Sequence, residues 1–317
     1  MRYTGLRWLL HKRKPVDSVS VFSLHRVTNE PDYFFEPVRP DFFENFVLYL
    51  KQNYDMVLFS EIQHKGSRPK AILSFDDGYR DFLEHALPIL MKYNVPCNLN
   101  LVNDCLNGTE IIWTQKLNDL FKYFKEHAIY EDDTLKKLGL SYGLCDNNWR
   151  SYHYQFYMKL LHLKGQDRNA LLTNLGLRYS VNSNCKMLTW EDVTYCIKNH
   201  KVEIGTHTYG HESLVTLSSD SEFDSQIKKS ITEFKDKLGI DVKILAFPNG
   251  AYNGDVIEYA SHIGLTYLLK VDGRLNSCKN LKPAGNVISR INVVNESMDE
   301  AVLRAELFHG IFKSKNG

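Results

Sequence analysis

The run Ala71-Ile72-Leu73-Ser74-Phe75 leads straight into Asp76-Asp77-Gly78, and this junction constrains the fold more than any other stretch. An apolar run of strand length ending on two carboxylates and a glycine delivers acidic side chains to the loop at a strand's C-terminal end. In α/β proteins those loops carry the chemistry. The flanking pattern agrees. Residues 19–24 alternate and then run apolar into His25-Arg26, a strand ending in a polar loop. Pro40-Asp41 opens a helix through Phe43, Phe46, Val47 and Leu50, with Asp41 as its cap. Residues 56–59 form a second strand, a helix runs through Phe82, Ala86, Leu90 and Tyr93, and residues 95–101 return as a strand. Strand–helix–strand alternation of this kind predicts a parallel α/β arrangement.

The rhythm breaks between about residues 111 and 188. Helical spacing of Leu117, Leu120, Phe121 and Phe124, and again over 157–163, predicts a helical insertion there. Thr189, followed by Trp190-Glu191-Asp192, reads as a helix cap with acids in the first turn. Strands follow at 202–205, 243–247, 267–269 and 288–291. Helices are expected at 222–238, 256–263 and about 298–312. The expectation is one unit over 1–317, with its core at about 18–295 and the insertion inside it. One unit is preferred because the residues that must meet are spread from Asp76 to Pro248.

The second informative stretch is His207-Thr208-Tyr209-Gly210-His211. Imidazoles four apart can be aimed at one metal ion by a helical turn or a tight loop. Asp77, His207 and His211 make a three-ligand set that leaves coordination positions open for water and substrate, as catalytic sites do. Zinc suits two imidazoles and a carboxylate, and Co2+, Ni2+, Mn2+ or Fe2+ also fit. The neighbouring Asp76 then supplies a general base for a water whose pKa such an ion lowers from ~15.7 toward about 7.

With these residues in place the chain resembles the polysaccharide deacetylase (NodB-homology) family. The resemblance rests on Ser74-Phe75-Asp76-Asp77-Gly78, on His207 to His211 preceded by Glu203-Ile204-Gly205-Thr206, and on Leu245-Ala246-Phe247-Pro248-Asn249-Gly250-Ala251-Tyr252. It implies a distorted (β/α) barrel and metal-dependent removal of acetyl groups from sugars. It also implies that the backbone N–H of Asn249, in the turn after Pro248, helps hold the oxyanion. Ala246 stands where many members carry an arginine that orients the base, so either another cation does that, with Arg290 as the candidate, or nothing does. The family's usual proton donor is a histidine on a late Leu-x-His strand. Here Leu307-Phe308-His309 falls in a segment of helical spacing and reads as an accidental match. Some members resemble a circular permutation with that strand first, which makes His25, in Ser23-Leu24-His25-Arg26, the expected general acid.

Composition narrows the partners. With 39 basic and 38 acidic residues there is no basic field for nucleic acid. The six cysteines form no C-x-x-C pair and read as reduced thiols. The start, with its short apolar patch before His11-Lys12-Arg13-Lys14, has the reverse of a secretory signal's layout. These features lead to the expectation of a cytoplasmic protein, at or near the inner face of the membrane. Its substrate would be an acetylated amino sugar on a nucleotide- or lipid-linked glycan, as in lipopolysaccharide synthesis. Residues 2–14, with Leu6, Trp8, Leu9 and Leu10 among basic residues, are a candidate for peripheral membrane contact. A deformylase acting on a sugar amide shares the same ligand set. A non-catalytic carbohydrate-binding descendant would be expected to have lost one of Asp76, Asp77, His207 or His211, and all four are present.

Overall fold

The structure, a computed structural model, describes residues 14–139 and 148–306. Among the described residues there are nine strands: β1 (Ser18–Leu24), β2 (Asp55–Met56), β3 (Lys70–Phe75), β4 (Cys97–Leu101), β5 (Val202–Thr206), β6 (Ile244–Ala246), β7 (Tyr267–Val271), β8 (Asn276–Ser277) and β9 (Asn286–Asn292). Seven of them close into a parallel ring in the order β1-β3-β4-β5-β6-β7-β9, with β9 returning to β1. The expected distorted (β/α) barrel is therefore present. Its distortion has a local cause, because β5 and β6 meet through the single pair Thr206–Leu245. The two shortest strands fill vacant half-edges. β2 pairs with Lys70 and Ala71 of β3 where β4 takes up only Leu73 onward, and β8 pairs with Ser18 and Val19 where β9 takes up Val21 onward.

Register decides which residues share the rim. Leu24 pairs with Phe75, and Leu101 pairs with Thr206, so His25, Asp76 and His207 each come first after a paired strand end. The ladder extends one step further: Asp76 N–H donates to Leu24 O at 2.9 Å, and His207 N–H to Leu101 O at 2.8 Å. Arg290 lies lower, inside β9 opposite Val21, and can reach the rim only through the barrel interior.

Helices cover the outside of the ring. Helix Pro40–Asn53 buries Phe42, Phe43, Phe46, Val47 and Leu50, a stripe at 3–4-residue spacing facing β1 and β3. Each such side chain stabilises by roughly 1.5–3 kcal/mol when fully buried. Two sequence expectations need correction, and a third, the helix through Phe82, is met with a local irregularity. Asp41 is not the cap: Arg39 is, with no side-chain bond, because Pro40 at the first helical position already dispenses with an N–H. The strand expected at 56–59 stops at Met56, and Phe59–Glu61 is a 3-10 turn whose Phe59 and Ser60 N–H groups donate to the Glu203 carboxylate. The helix through Phe82 opens with a π-helical turn, Phe82–Ala86, just ahead of Pro88. Thr189, by contrast, caps its helix as read, in a reciprocal box with Asp192.

The segment between β4 and β5 contains helices Trp113–Glu126, Asp133–Lys137, Trp149–Leu161 and Gly165–Tyr179. They pack an apolar cluster of their own around Leu117, Phe121, Trp149, Phe156 and Leu160. The last helix begins at Met298 as expected and is described to Ala305, so its predicted continuation and His309 lie outside the described residues. Residues 2–13 lie outside them too. Among the described residues no helix is long and apolar enough to cross a membrane, and the five cysteines are free.

Candidate active site

Six of the residues singled out from sequence line one cavity of about 400 Å³ with Arg290: His25, Asp76, Asp77, His207, His211 and Asn249. Pro248 is buried in the turn behind Asn249 and does not line the cavity. The two aspartates reach the rim because the chain turns abruptly after β3. Asp77 has φ 74° and Gly78 φ 89°, two successive left-handed residues. A Cβ at Gly78 would lie 2.9 Å from Leu101 Cδ2, so the end of that leucine would have to shift as well.

Asp76 is held from below. Its Oδ1 accepts from Arg290 Nη1 and from Asn100 Nδ2, both at 2.7 Å. Asn98 and Asn100, two apart on β4, belong to the same network. Asn100 also donates to Ser74 Oγ at 3.0 Å, and Ser74 Oγ donates to Asn98 Oδ1 at 2.7 Å. Burial alone would raise the Asp76 pKa. The Arg290 charge, then His207 and the Arg290 hydrogen bond, outweigh it and hold the carboxyl well below the usual range. The cation beside Asp76 is Arg290, reaching it from β9.

Asp77, His207 and His211 form a second cluster. One donor atom from each lies within 4.8 Å of the other two, and all three side chains are buried. His207 Nδ1 sits 2.9 Å from the Ala246 carbonyl, to which it can only donate, so in the neutral ring it is Nε2 that offers its lone pair toward the cluster. Asp77 Oδ1 lies 3.4 Å from His207 Nε2 and 3.6 Å from His211 Nε2, yet it has no hydrogen-bond partner. A buried carboxylate oxygen facing two imidazole nitrogens suits a divalent cation. Burial would lower the His207 pKa, but the Asp76 charge and the Asp77 carboxylate outweigh it and raise it, so without a cation these carboxylates favour a proton on that ring. Burial, with the His207 charge second, pushes the His211 pKa down to about 3 and favours its neutral, ligating form.

The histidines sit on a tight loop, one of the two geometries the spacing allowed. Thr208 (φ 66°) and His211 (φ 56°) are left-handed. Thr206 Oγ1 accepts from Thr208 N–H, Thr208 Oγ1 accepts from Glu212 N–H, and Gln226 takes the Tyr209 and Gly210 N–H groups. The insertion reinforces the loop. Trp113 Nε1 donates to His211 O at 3.1 Å, and buried Arg168 donates to both Glu212 oxygens, at 2.7 and 3.1 Å.

His25 lies at the end of β1, its ring edge-on to Phe35 with centroids 5.0 Å apart. Asn249 takes φ 58° in the Pro248–Gly250 turn, and its Oδ1 accepts a hydrogen bond from Tyr157 Oη. Gly250 and Ala251 bond back to Phe247 O and Pro248 O. Among the described residues no backbone acceptor takes the Asn249 N–H.

Sequence reasoning passed over Asn100, Tyr157, Phe34, Phe35 and the Arg168–Glu212 pair. Asn98-Leu99-Asn100 carried a readable signal, two amides on one face of a strand beside the aspartates. The insertion residues carried none, because their place depends on how helices dock.

The fold and the site together define a class: a parallel (β/α) barrel with a carboxylate–histidine cluster and a cation-held second carboxylate at the C-terminal strand ends. Residues 162–268 match the family model described as polysaccharide deacetylase, a stretch with both histidines and the Asn249 turn but not Asp76-Asp77. The resemblance drawn from the motifs is thus matched by a family model over that stretch, which is less than half of the chain. Among solved structures it is similar to the Streptococcus pyogenes deacetylase PplD in complex with acetate, with TM-score 0.60 at 16% identity over 92% of this chain and 99% of that one. It is also similar to IcaB from Ammonifex degensii, with TM-score 0.59 at 16% identity over 92% and 97%. A de-N-acetylase from Aggregatibacter actinomycetemcomitans gives TM-score 0.57 at 17% identity over 90% and 100%. At such identities the likeness is one of fold. Among the curated proteins no sequence matches the chain.

Proposed function

We propose that the protein is a divalent-metal-dependent hydrolase that removes the N-acetyl group from an amino sugar of a cell-surface glycan or its precursor. The observation that carries this reading is the convergence of two carboxylate devices in one cavity. Asp77 stands with His207 and His211 as a ligand set, and Asp76 is fixed beside it by Arg290 and Asn100. The fit of Asp77, His207 and His211 to a divalent ion, zinc foremost, rests on the partnerless Asp77 oxygen and the tautomer set at His207. Such an ion would polarise the amide carbonyl and acidify the attacking water.

The chain's own groups do the rest. Asp76, ionised throughout the neutral range, accepts a proton from the water; Arg290 and Asn100 fix its orientation at some cost in basicity. The Asn249 N–H donates to the oxygen on which negative charge develops, a role worth about 3 kcal/mol in comparable sites. His25 gives a proton to the sugar nitrogen as the C–N bond breaks, so water and amide become acetate and amine. A cytoplasmic setting, a nucleotide- or lipid-linked carrier and membrane contact through residues 2–14 belong to the same proposal.

The test is acetate release from N-acetylated amino sugars by metal-stripped protein, with and without added zinc. Asp76→Asn should bind zinc as the wild type does and lose on the order of 10²–10⁴ in turnover. Zinc-independent release would overturn the metal reading. Preference for an N-formyl sugar would make the protein a deformylase, and sugar binding without any release would make it a lectin-like descendant.

A further inference from the structure

Outside the reacting cavity, helix Trp149–Leu161 carries a row of aromatic rings. Tyr157 lines the cavity. Its ring lies nearly parallel to Trp113, with centroids 5.5 Å apart at 18°, and to Tyr154, with centroids 6.4 Å apart at 22°. Tyr154 and Tyr157 are three residues apart and so share a helix face. Trp113 stands beside His211, centroids 6.0 Å apart. The row therefore starts at the Asp–His–His cluster and ends in solvent, where Tyr154 is 60% exposed. Nearly parallel rings this far apart overlap little, so Tyr154 prolongs the surface of Tyr157 rather than being covered by it.

The inner rings are pinned. Tyr157 Oη donates to Asn249 Oδ1, Trp113 Nε1 donates to His211 O, and the Arg168 guanidinium sits 4.4 Å from the Trp113 ring centre. A single exposed tyrosine on a protein surface needs no explanation. This one continues a preorganised surface that leads out of the candidate active site. The cavity, at about 400 Å³, lies near the lower end of the roughly 300–1,000 Å³ range of small-molecule sites. It holds little more than one sugar, and the next unit of a chain has to leave over the rim.

We propose that Tyr154 forms the subsite for the sugar unit next to the one whose acetamido group enters the cavity, its ring stacking on the apolar C–H face of the pyranose. The acetylated sugar would then be followed by at least one further sugar unit, whatever carries the glycan. This rests on the carbohydrate reading above. Stacking suits the position because a pyranose face buries against a ring without demanding polar partners at a solvent-exposed rim.

The experiment titrates the full-length, metal-stripped protein with the β-linked tetramer of N-acetylglucosamine and, separately, with the monosaccharide, by calorimetry. Wild type should bind the tetramer at least tenfold more tightly. Tyr154→Ala should weaken tetramer binding about tenfold, equivalent to about 1.4 kcal/mol, and leave the monosaccharide unchanged. Tyr154→Phe, which keeps the ring, should bind both as wild type does. A tetramer bound no more tightly than the monosaccharide, or equal losses for both ligands in Tyr154→Ala, would overturn the subsite. Acetate release with zinc, measured in parallel, separates this from the parent reading. Ring-dependent tetramer binding without release sinks deacetylation and leaves the subsite standing; release with unaltered tetramer KM in Tyr154→Ala sinks the subsite alone.

Discussion

Replacing Arg290 by methionine removes one half of a buried charge pair and tests what holds Asp76. Arg290 is 1% exposed and Asp76 2%, with Nη1 2.7 Å from Oδ1. At that separation and an effective dielectric of about 20, the attraction is ~6 kcal/mol, most of it offset by the desolvation of both groups. Removing one partner exposes the other's desolvation and costs about 3–5 kcal/mol. Asn100 still donates to Asp76, so the lower figure is expected, a fall in melting midpoint on the order of 5 °C for a chain of this size. The pH dependence has a definite sign. In the wild type the Asp76 pKa is held below its unfolded value, chiefly by Arg290 against burial. Its stabilisation is therefore full above about pH 4 and is lost as pH falls toward the folded-state value. Without Arg290, burial prevails and the folded-state pKa rises above the unfolded one. The contribution is then present below about pH 4 and lost as pH climbs through the raised value. Urea unfolding of metal-free protein at about pH 4.5 and about pH 7.5 should accordingly give the larger difference between the two chains at the higher pH. Adding Asp76→Asn should recover at least half the loss, since no charge is then stranded. A loss below about 1 kcal/mol, equal at both pH values, is what an exposed pair would give and would refute the reasoning.

His207→Ala and His211→Ala should each lose zinc binding in equilibrium dialysis together with acetate release; a variant that kept both would remove that residue from the ligand set. His25→Ala should release far less acetate from a sugar amide while hydrolysing an aryl acetate nearly as well as wild type, because a phenolate leaves without protonation. Equal losses on both substrates would remove His25 from the acid role. Gly205→Ala places a Cβ 2.1 Å from Asn100 Oδ1. It should cost about 1–3 kcal/mol in unfolding free energy and lower turnover, as Asn100 is displaced from Asp76; unchanged turnover would mean that Asn100 is dispensable.

The sequence by itself determined the strand–helix alternation and picked out the polar groups that meet in the cavity. Periodicity and strand-end position are local properties: apolar residues 71–75 followed by Asp76-Asp77-Gly78 can be read without knowing what lies opposite. Asp77, His207 and His211 were legible as a candidate ligand set because such a set needs particular residue types, and those survive in a linear text. Only the tertiary structure decided register. The pairing of Leu24 with Phe75 and of Leu101 with Thr206 places His25, Asp76 and His207 on one rim. It also decided that Arg290, from the body of β9, reaches Asp76 through the barrel, and that Asn100 is its second donor. The insertion contributes its part in the same way. Leu117, Phe121 and Phe156 announce helices, but nothing in their spacing says that Trp113 will meet the His211 loop or that Tyr157 will reach Asn249. Local pattern fixes a helix's apolar face, whereas its docking is set by the shapes of both partners and by the closure of the barrel beneath.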